Sequence, residues 1–276
     1  MQRLLAFIEI TRPHNMLAAS LGVAAGYWIA GGREVGVIWP AVLVTALVTG
    51  AGNVINDWYD HSIDRTNKPR RPLPSGRLGR RGAIRFYALL SAAVTILSFF
   101  ALPLEVAVVV VLWQIALYLY AARFKRAFVS GNLLVAAVTS SAFVVGAMLA
   151  GRPAAAVVPV AIAFVFVFSR ELVKGAEDVD GDRDAGVRTV AVVMGVERAV
   201  MLAVTLMVGL ALLLPLPTLT GVYGRRYFYA MELLVVPGLL GGAWWMLKRP
   251  SRRTYNRVSW LLKITMFFGI LALTLG

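Results

Sequence analysis

Two short acidic segments carry the side chains in this sequence that are best suited to chemistry. The first contains Asn56, Asp57, Asp60 and Asp64. A helix turns by about 100° per residue, so these four side chains would share one stripe about 100° wide. Carboxylates on one stripe repel each other, and we therefore predict that cationic groups lie against them.

The second acidic segment lies much later in the chain. Lys174, Asp178 and Asp182 are spaced four residues apart and would line one face of a helix, although Gly175 and Gly181 weaken helix formation there. The two segments hold ten of the 14 acidic residues: Asp57, Asp60, Asp64, Glu171, Glu177, Asp178, Asp180, Asp182, Asp184 and Glu197. Such a concentration indicates a site rather than a scattered charged surface.

The ligand chemistry of these segments favours magnesium. Oxygen donors in a chain without cysteine select a hard cation. Mg²⁺ binds one or two carboxylates together with substrate phosphates and water, whereas Ca²⁺ takes a more complete protein cage. Neighbouring Lys and Arg side chains suit the remaining phosphate oxygens, so Mg²⁺ bridging a diphosphate is the favoured interpretation. Solvated Asp–Arg pairs at helix ends are the alternative, and they account less well for two such segments than for one.

The elements that position these segments are membrane-spanning helices. Of the 276 residues, 59% are hydrophobic and 15% charged, and the mean hydropathy is +0.74. A soluble domain is about 45–50% apolar and about 25% charged, so a soluble two-domain enzyme and a disordered chain are both excluded. The absence of cysteine excludes disulfides, thiolate metal sites and a cysteine nucleophile.

Nine apolar runs approach the length of about 20 residues that a helical span requires. These runs cover residues 15–30, 35–56, 83–102, 104–122, 132–150, 154–168, 199–214, 229–247 and 258–275. We predict an all-α polytopic membrane protein in which nine transmembrane helices surround a central cavity and charged cytoplasmic loops form a cap. Residues 1–276 are predicted to form a single domain. Runs three and four meet at Pro103, which predicts a tight helical hairpin.

The basic residues predict the orientation in the cell membrane. The net charge is +14, with 28 Lys and Arg, and most of them fall on the side of the N-terminus and of the two acidic segments. The opposite side carries Arg33, Arg152, Arg225 and Arg226, and Lys263 lies inside the last run. This asymmetry places the N-terminus and the acidic segments in the cytoplasm. It also removes the need for nucleic acid as an explanation of the charge.

These residues resemble the UbiA superfamily of intramembrane prenyltransferases. The family pattern NDxxDxxxD matches residues 56–64, and its Arg- and Pro-rich continuation matches residues 67–76. Its second motif, DxxxD with a Lys one turn earlier, matches Lys174, Asp178 and Asp182. The resemblance extends from residues 12–15 to the C-terminus, and it implies a nine-helix intramembrane enzyme.

Within the superfamily, residues 170–183 and 186–189 are most similar to the archaeal digeranylgeranylglyceryl phosphate synthase group. One departure is Gly175, which stands where that group commonly has Asp. Residues 56–60 also resemble the chlorophyll synthase branch. The resemblance implies transfer of a prenyl group, geranylgeranyl in the archaeal group, to the hydroxyl of geranylgeranylglyceryl phosphate in ether lipid synthesis. A 4-hydroxybenzoate-like acid, a quinone precursor and a chlorin are the alternative acceptors.

The resemblance also implies roles for individual residues. One Mg²⁺ would be held by Asn56, Asp60 and Asp64, and another by Asp178 and Asp182. The substrate-binding residues would be Asn53, Asn56, Arg71, Lys125 and Lys174, of which Arg71, Lys125 and Lys174 would also stabilise the leaving diphosphate. Asp57 would either assist deprotonation of the acceptor hydroxyl or orient a basic side chain. Tyr118 and Tyr120 are candidates to shelter an allylic cation, with ordinary packing as the alternative.

A secondary transporter is the alternative from a different functional class. Transporter sites usually lie near the middle of the bilayer, on broken helices or intramembrane charges. Here Lys263 and Glu232 are the main ionisable groups inside the apolar runs, and the other charges cluster at one end. Release of inorganic diphosphate from a prenyl diphosphate would distinguish an enzyme from a carrier.

Overall fold

A computed structural model describes residues 2–276, with side chains from residue 4 onward. This part of the chain is helical and contains no β-strand. The α-helices are α1 (Gln2–Thr11), α2 (Pro13–Ile29), α3 (Val35–Tyr59), α4 (His61–Asn67), α5 (Arg80–Ala101), α6 (Leu104–Ala122), α7 (Ser130–Ser140), α8 (Ala142–Leu149), α9 (Val157–Glu177), α10 (Val179–Asp184), α11 (Val190–Met194), α12 (Val196–Leu213), α13 (Leu216–Leu219), α14 (Arg225–Ala230), α15 (Val236–Lys248) and α16 (Arg252–Leu273). The predicted all-α class is confirmed.

Eight helical segments within residues 2–276 are long and apolar enough to cross a membrane. They are Val35–Tyr59, Arg80–Ala101, Leu104–Ala122, Ser130–Leu149, Pro153–Glu177, Val196–Leu219, Arg225–Lys248 and Arg252–Leu273. The first predicted run corresponds to α2, which has 17 residues and falls short of this length. A multi-pass membrane protein is therefore confirmed, and the ninth span stays a prediction.

Several helices extend beyond the apolar runs that predicted them. The run at residues 154–168 lies in a helix that continues to Glu177, and α16 begins at Arg252 rather than at residue 258. Apolar composition marks only the part of a helix that faces lipid, whereas backbone hydrogen bonding continues into water. The predicted hairpin at Pro103 is confirmed, since α5 ends at Ala101 and α6 begins at Leu104.

Three hydrophobic cores organise the helices. The two larger cores are built mainly from α9, α12, α15 and α16 and from α2, α3, α5, α6 and α8. A smaller third core packs α1 against the end of α3 and the start of α5. Many large apolar side chains remain on the outside, with Phe100 87% and Leu219 79% exposed, as expected of a surface that faces acyl chains. The first acidic segment follows α3 in one of the two larger cores, and the second follows α9 in the other.

Glycines permit the closest helix contact between these elements. At the crossing of α2 and α8, a Cβ atom at Gly26 would overlap the carbonyl oxygen of Phe143. A Cβ atom at Gly146 would likewise overlap the carbonyl oxygen of Val23. Only residues without a side chain let the two backbones approach this closely, which is a common feature of packing between transmembrane helices.

Candidate active site

The first acidic segment is a helix interrupted at its central aspartate. α3 ends at Tyr59, Asp60 lies between the helices, and α4 begins at His61. The Asp60 N–H donates to the Asn56 carbonyl at 2.9 Å and the Asp64 N–H donates to the Asp60 carbonyl at 2.8 Å, which preserves the one-turn spacing. Asp57, Asp60 and Asp64 are all buried, at 2%, 3% and 4% exposure.

Cationic side chains neutralise this segment, as predicted. Arg71 donates to Asp64 at 2.7 Å and to Asp57 at 3.2 Å. Arg12 pairs with the same oxygen of Asp57, and Lys125 pairs with Asp60. Each carboxylate of the segment therefore has at least one cationic partner in the described structure.

The two asparagines near this segment have different surroundings. Asn56 donates its side-chain amide to Asp60 Oδ2 at 2.7 Å and thus contacts a candidate metal ligand. Asn53 donates to the Thr11 carbonyl at 2.8 Å and lies 3.4 Å from the Asn15 amide nitrogen. The contacts of Asn53 join α3 to the junction of α1 and α2.

The second acidic segment repeats the same construction. α9 ends at Glu177, Asp178 lies between helices, and α10 follows. The Asp178 N–H donates to the Lys174 carbonyl at 2.9 Å and the Asp182 N–H donates to the Asp178 carbonyl at 3.1 Å, so the predicted spacing is kept across the interruption. The Lys174 ammonium, however, contacts Glu171 at 2.8 and 3.0 Å rather than Asp178.

The two acidic segments meet through α4 and α10. The Asn67 amide donates to the Asp178 carbonyl at 3.0 Å, and Lys68 pairs with Glu177 and lies 3.0 Å from Asp178 Oδ1. Gly181 makes this approach possible, because a Cβ atom there would overlap the Asn67 side chain. Segments more than a hundred residues apart in sequence thus form one site.

The electrostatics confirm that the two segments share an environment. Burial, together with the charges of Asp178 and Asp60, raises the pKa of Asp182 to about 6 against the opposing charges of Lys125 and Lys174. Burial likewise raises the pKa of Asp64 to about 6 against the opposing charge of Arg71. Asp60 belongs to the first segment, so its charge reaches across to the second.

The cations of the site remain charged although they are partly buried. Burial acts to lower the pKa of Arg71, but the charges of Asp57 and Asp64 outweigh it, and the net shift is upward. The pKa of Lys125 is also raised, because the charge of Asp60 outweighs the cost of burial. These side chains can therefore meet a phosphate as full cations.

The residues present fit a magnesium ion that arrives with its substrate. In the described residues, no three Asp, Glu or His side chains lie close enough together to hold a metal ion by themselves. The Asp178 Oδ1 atom is buried and lacks a hydrogen bond of good geometry, even though Lys68 is nearby. Oxygen donors on both segments, with Lys and Arg between them, suit Mg²⁺ that completes its shell with phosphate oxygens and water.

Sequence reasoning gave no role to three residues that hold or link the acidic segments, Arg12, Lys68 and Asn256. Arg12 pairs with Asp57, Lys68 pairs with Glu177, and Asn256 reaches Glu177 at 2.8 Å from α16. The two residues of each contact lie far apart in sequence, so their spacing carries no signal. Arg12 does stand out in the backbone, since its φ of 52° is the only positive value of a non-glycine residue among those described.

An apolar cavity of about 60 Å³, which opens to the surface, lies between α2, α9 and α16. Its lining includes Gly22, Phe143, Phe166, Met231 and Met266. Tyr118 lies elsewhere, where its hydroxyl is 3.1 Å from that of Tyr59 and its ring stacks on Tyr87. Tyr118 therefore has a packing role in this structure.

The chain is all-helical, with long apolar helices, a charged site at one end and an apolar cavity beside it. These features define a multi-pass membrane protein that binds an amphiphilic molecule. Residues 19–271 match the UbiA prenyltransferase family, and the chain belongs to that family. It is accordingly a membrane-bound prenyltransferase, and the transporter alternative is set aside.

The chain is similar over its full length to archaeal relatives named digeranylgeranylglyceryl phosphate synthase. The relative from Korarchaeum cryptofilum is 36% identical over 100% of this chain and 98% of its own length. The relative from Natronomonas pharaonis is 37% identical over 100% of this chain and 98% of its own length. The predicted similarity to this group is confirmed.

Solved structures show the same fold. A structure described as digeranylgeranylglyceryl phosphate synthase has a TM-score of 0.74 at 31% identity and covers 100% of this chain and 99% of its own. A UbiA homolog from Archaeoglobus fulgidus, bound to GPP and Mg²⁺, has a TM-score of 0.72 at 18% identity and covers 97% of this chain and 99% of its own. At that lower identity the likeness concerns the fold alone.

Proposed function

We propose that this prenyltransferase transfers a geranylgeranyl group from its diphosphate to the hydroxyl of geranylgeranylglyceryl phosphate, in archaeal-type ether lipid synthesis. The full-length similarity to relatives of that name supports the acceptor class. The observation that carries the chemistry is the meeting of the two acidic segments through Asn67, Lys68 and Asp178. A site of this composition matches a metal-bound diphosphate.

In this proposal Asn56, Asp60 and Asp64 would hold one Mg²⁺, and Asp178 and Asp182 would hold the other. Bound Mg²⁺ would neutralise charge that develops on the diphosphate oxygens. Lys125 pairs with Asp60, and Arg71 with Asp64, so both cations lie beside the proposed ligands and within the same site.

Arg71, Lys125 and Lys174 stabilise the leaving group. The bond between prenyl C1 and the diphosphate oxygen breaks, and the electron pair leaves with the diphosphate. Full positive charges favour this separation because they offset the negative charge that builds up on the leaving diphosphate. The acceptor oxygen then bonds to C1 and its proton passes to the released diphosphate, while the surrounding apolar helices keep water from the allylic cation.

The surroundings of Asp57 favour a positioning role over that of a base. Its carboxylate lies between the guanidinium groups of Arg12 and Arg71, both of which contact the same oxygen. Both guanidinium groups already donate to that oxygen, so it is occupied as a hydrogen-bond acceptor. We therefore assign to Asp57 the orientation of Arg12 and Arg71 towards the substrate.

The orientation and architecture also belong to this proposal. The charge asymmetry supports a cytoplasmic N-terminus, with the two acidic segments forming a cytoplasmic cap. α2 would act as a ninth span beside the eight longer ones, so that nine helices surround the cavity within one domain. Its 17 residues extend for about 25 Å at 1.5 Å per residue, close to the thickness of a thin hydrocarbon core.

The test is a competition among acceptors with geranylgeranyl diphosphate as donor. The enzyme is incubated with geranylgeranylglyceryl phosphate, 4-hydroxybenzoate and a chlorin together, and the products are identified by mass spectrometry while released diphosphate is measured. We expect only the glyceryl phosphate lipid to gain a chain. A prenylated aromatic acid or chlorin as the main product would reassign the acceptor.

A further inference from the structure

A basic group outside the two acidic segments has no role in the diphosphate chemistry. Lys263 Nζ donates to His14 Nε2 at 3.0 Å and lies 4.3 Å from the centre of the Trp260 ring. In the described residues, no carboxylate lies within salt-bridge distance of Lys263. A Lys on a transmembrane helix without an acidic partner is costly and indicates a functional site.

Arg170 adds a second cation from a third helix. α16 packs against both α2 and α9, and Arg170 on α9 lies one turn after Phe166, which lines the same cavity as Met266 on α16. One nitrogen of Arg170, Nε, is buried and has no hydrogen-bond partner. Its Nη1 atom donates to Glu171 at 3.2 Å, and Glu171 is shared with Lys174. We call His14, Arg170 and Lys263 the cation cluster.

The cation cluster caps the apolar cavity. Three residues that line the cavity, Ala18, Phe166 and Met266, each lie one helical turn from a member of the cluster. His14 precedes Ala18, Lys263 precedes Met266, and Arg170 follows Phe166. α9 runs antiparallel to α2 and α16 in the predicted topology, so the two cations and the His14 imidazole lie at the same end. The cavity and its cap together match an amphiphile with an anionic head and an oily chain.

The cation cluster adjoins the diphosphate site but differs from it in composition. Glu171 links the two, because it pairs with both Arg170 and Lys174, whereas no carboxylate lies within salt-bridge distance of Lys263 in the described residues. His14 and Trp260 are exposed, so the cluster opens towards the lipid between α2 and α16. A ligand that binds there needs an anionic head that Lys and Arg neutralise directly, as they do a phosphate monoester.

We propose that the cation cluster binds the phosphate of the lipid acceptor, with the acceptor chain in the apolar cavity below it. This inference rests on the proposed function for the identity of the acceptor. It adds the residues that recognise the acceptor phosphate and thereby select a phosphorylated lipid over a neutral one.

The first test measures equilibrium binding to the purified full-length enzyme without donor. The ligands are geranylgeranylglyceryl phosphate, geranylgeranylglycerol and inorganic phosphate. We expect the phosphorylated lipid to bind at least about tenfold more tightly than the neutral lipid, in line with a lost charge-assisted hydrogen bond, and inorganic phosphate to bind far more weakly than either. Equal affinities for the two lipids would overturn the proposal. Tight binding of inorganic phosphate would show that the acceptor chain adds no affinity, which would refute its placement in the cavity.

The second test compares variants. Lys263→Met should raise the KM for the phosphorylated acceptor about tenfold, leave the KM for geranylgeranyl diphosphate within twofold, and abolish the preference between the two lipids in the binding assay. Lys263→Arg should retain that preference. The control is Arg257→Met on the same helix, since Arg257 lies over the Trp245 ring away from the cluster.

The outcomes separate the two proposals. If wild-type enzyme prenylates the phosphorylated lipid but Lys263→Met changes neither its KM nor the binding preference, the cation cluster is not its site. If wild-type enzyme prenylates a different acceptor, the proposed function fails, and the lipid binding preference still decides the role of the cluster. A Lys263→Met effect on the KM of the donor alone would also refute the inference.

Discussion

At the scale of single residues, the aspartates of the two segments differ in exposure, and this difference allows a matched comparison. Asp60 is buried and paired with Lys125, and Asp178 adjoins Lys68, whereas the side chain of Asp180 is 60% exposed. Asp60→Asn and Asp178→Asn remove proposed metal ligands, and we expect each to lower prenyl transfer about 100-fold in excess Mg²⁺. Asp180→Asn in the same segment should remain within about twofold. The assay is product formation per folded enzyme.

Two results for these aspartate variants would contradict the expectation. Near-wild-type turnover of both Asp60→Asn and Asp178→Asn would remove the claim of a metal site. A loss of equal size in Asp180→Asn would show that the assay responds to the general charge of the segment rather than to particular ligands.

Lys174 allows a distinction between ground-state and transition-state binding. Its ammonium contacts Glu171 in this structure and is placed to reach a leaving diphosphate. Lys174→Ala should lower kcat at saturating substrate about tenfold or more, because the charge is needed as the diphosphate separates. Lys174→Arg keeps the charge and should recover part of the rate. A change confined to the KM for the donor would instead assign Lys174 to ground-state binding.

At the scale of elements, the sequence predicted the helices well because their signal is local. Apolar runs revealed the spans and Pro103 revealed the hairpin, and both depend only on neighbouring residues. The interruptions at Asp60 and Asp178 were not predicted, since the one-turn spacing is the same with or without them. Contacts such as Lys68 with Glu177 depend on how helices pack, so residue spacing gave no indication of them.

The crossing of α2 and α8 gives a prediction about stability. Gly146→Ala places a Cβ atom against the Val23 carbonyl, and backbone cannot move aside as a side chain can. We expect this variant to lose about 1–3 kcal/mol, the usual cost of overpacking, and to melt at a lower temperature in detergent. Gly241→Ala is the matched control, because open space surrounds that position in α15. It should melt at or slightly above the wild-type temperature, since alanine favours helix.

This comparison excludes a general effect of replacing glycine in a helix. A melting temperature of Gly146→Ala equal to that of Gly241→Ala would show that the two backbones are farther apart than the structure places them. The position is also informative for function, because α2 carries His14 and lines the cavity with Gly22.

At the scale of the whole molecule, the topology brings the two larger cores together so that one acidic segment from each reaches the same end. The segment around α3 and α4 carries three of the proposed metal ligands, Asn56, Asp60 and Asp64, and the segment around the end of α9 and α10 carries Asp178 and Asp182. Composition and charge asymmetry predicted that both segments share a membrane face. That they touch could not be predicted, because the contact requires Gly181 to admit Asn67.

The membrane orientation is the last prediction, and the absence of cysteine makes it directly measurable. Ser75 is exposed between α4 and α5 on the side of the acidic segments, and Thr220 is exposed between α13 and α14 at the opposite side. In sealed, right-side-out vesicles, a membrane-impermeant maleimide should label Thr220→Cys and leave Ser75→Cys unlabelled, with the reverse in inside-out vesicles. The physical reason is that Lys and Arg near the spans are retained in the cytoplasm. Labelling of Ser75→Cys from outside would invert the orientation, and labelling of both from the same side would contradict the odd number of spans between them.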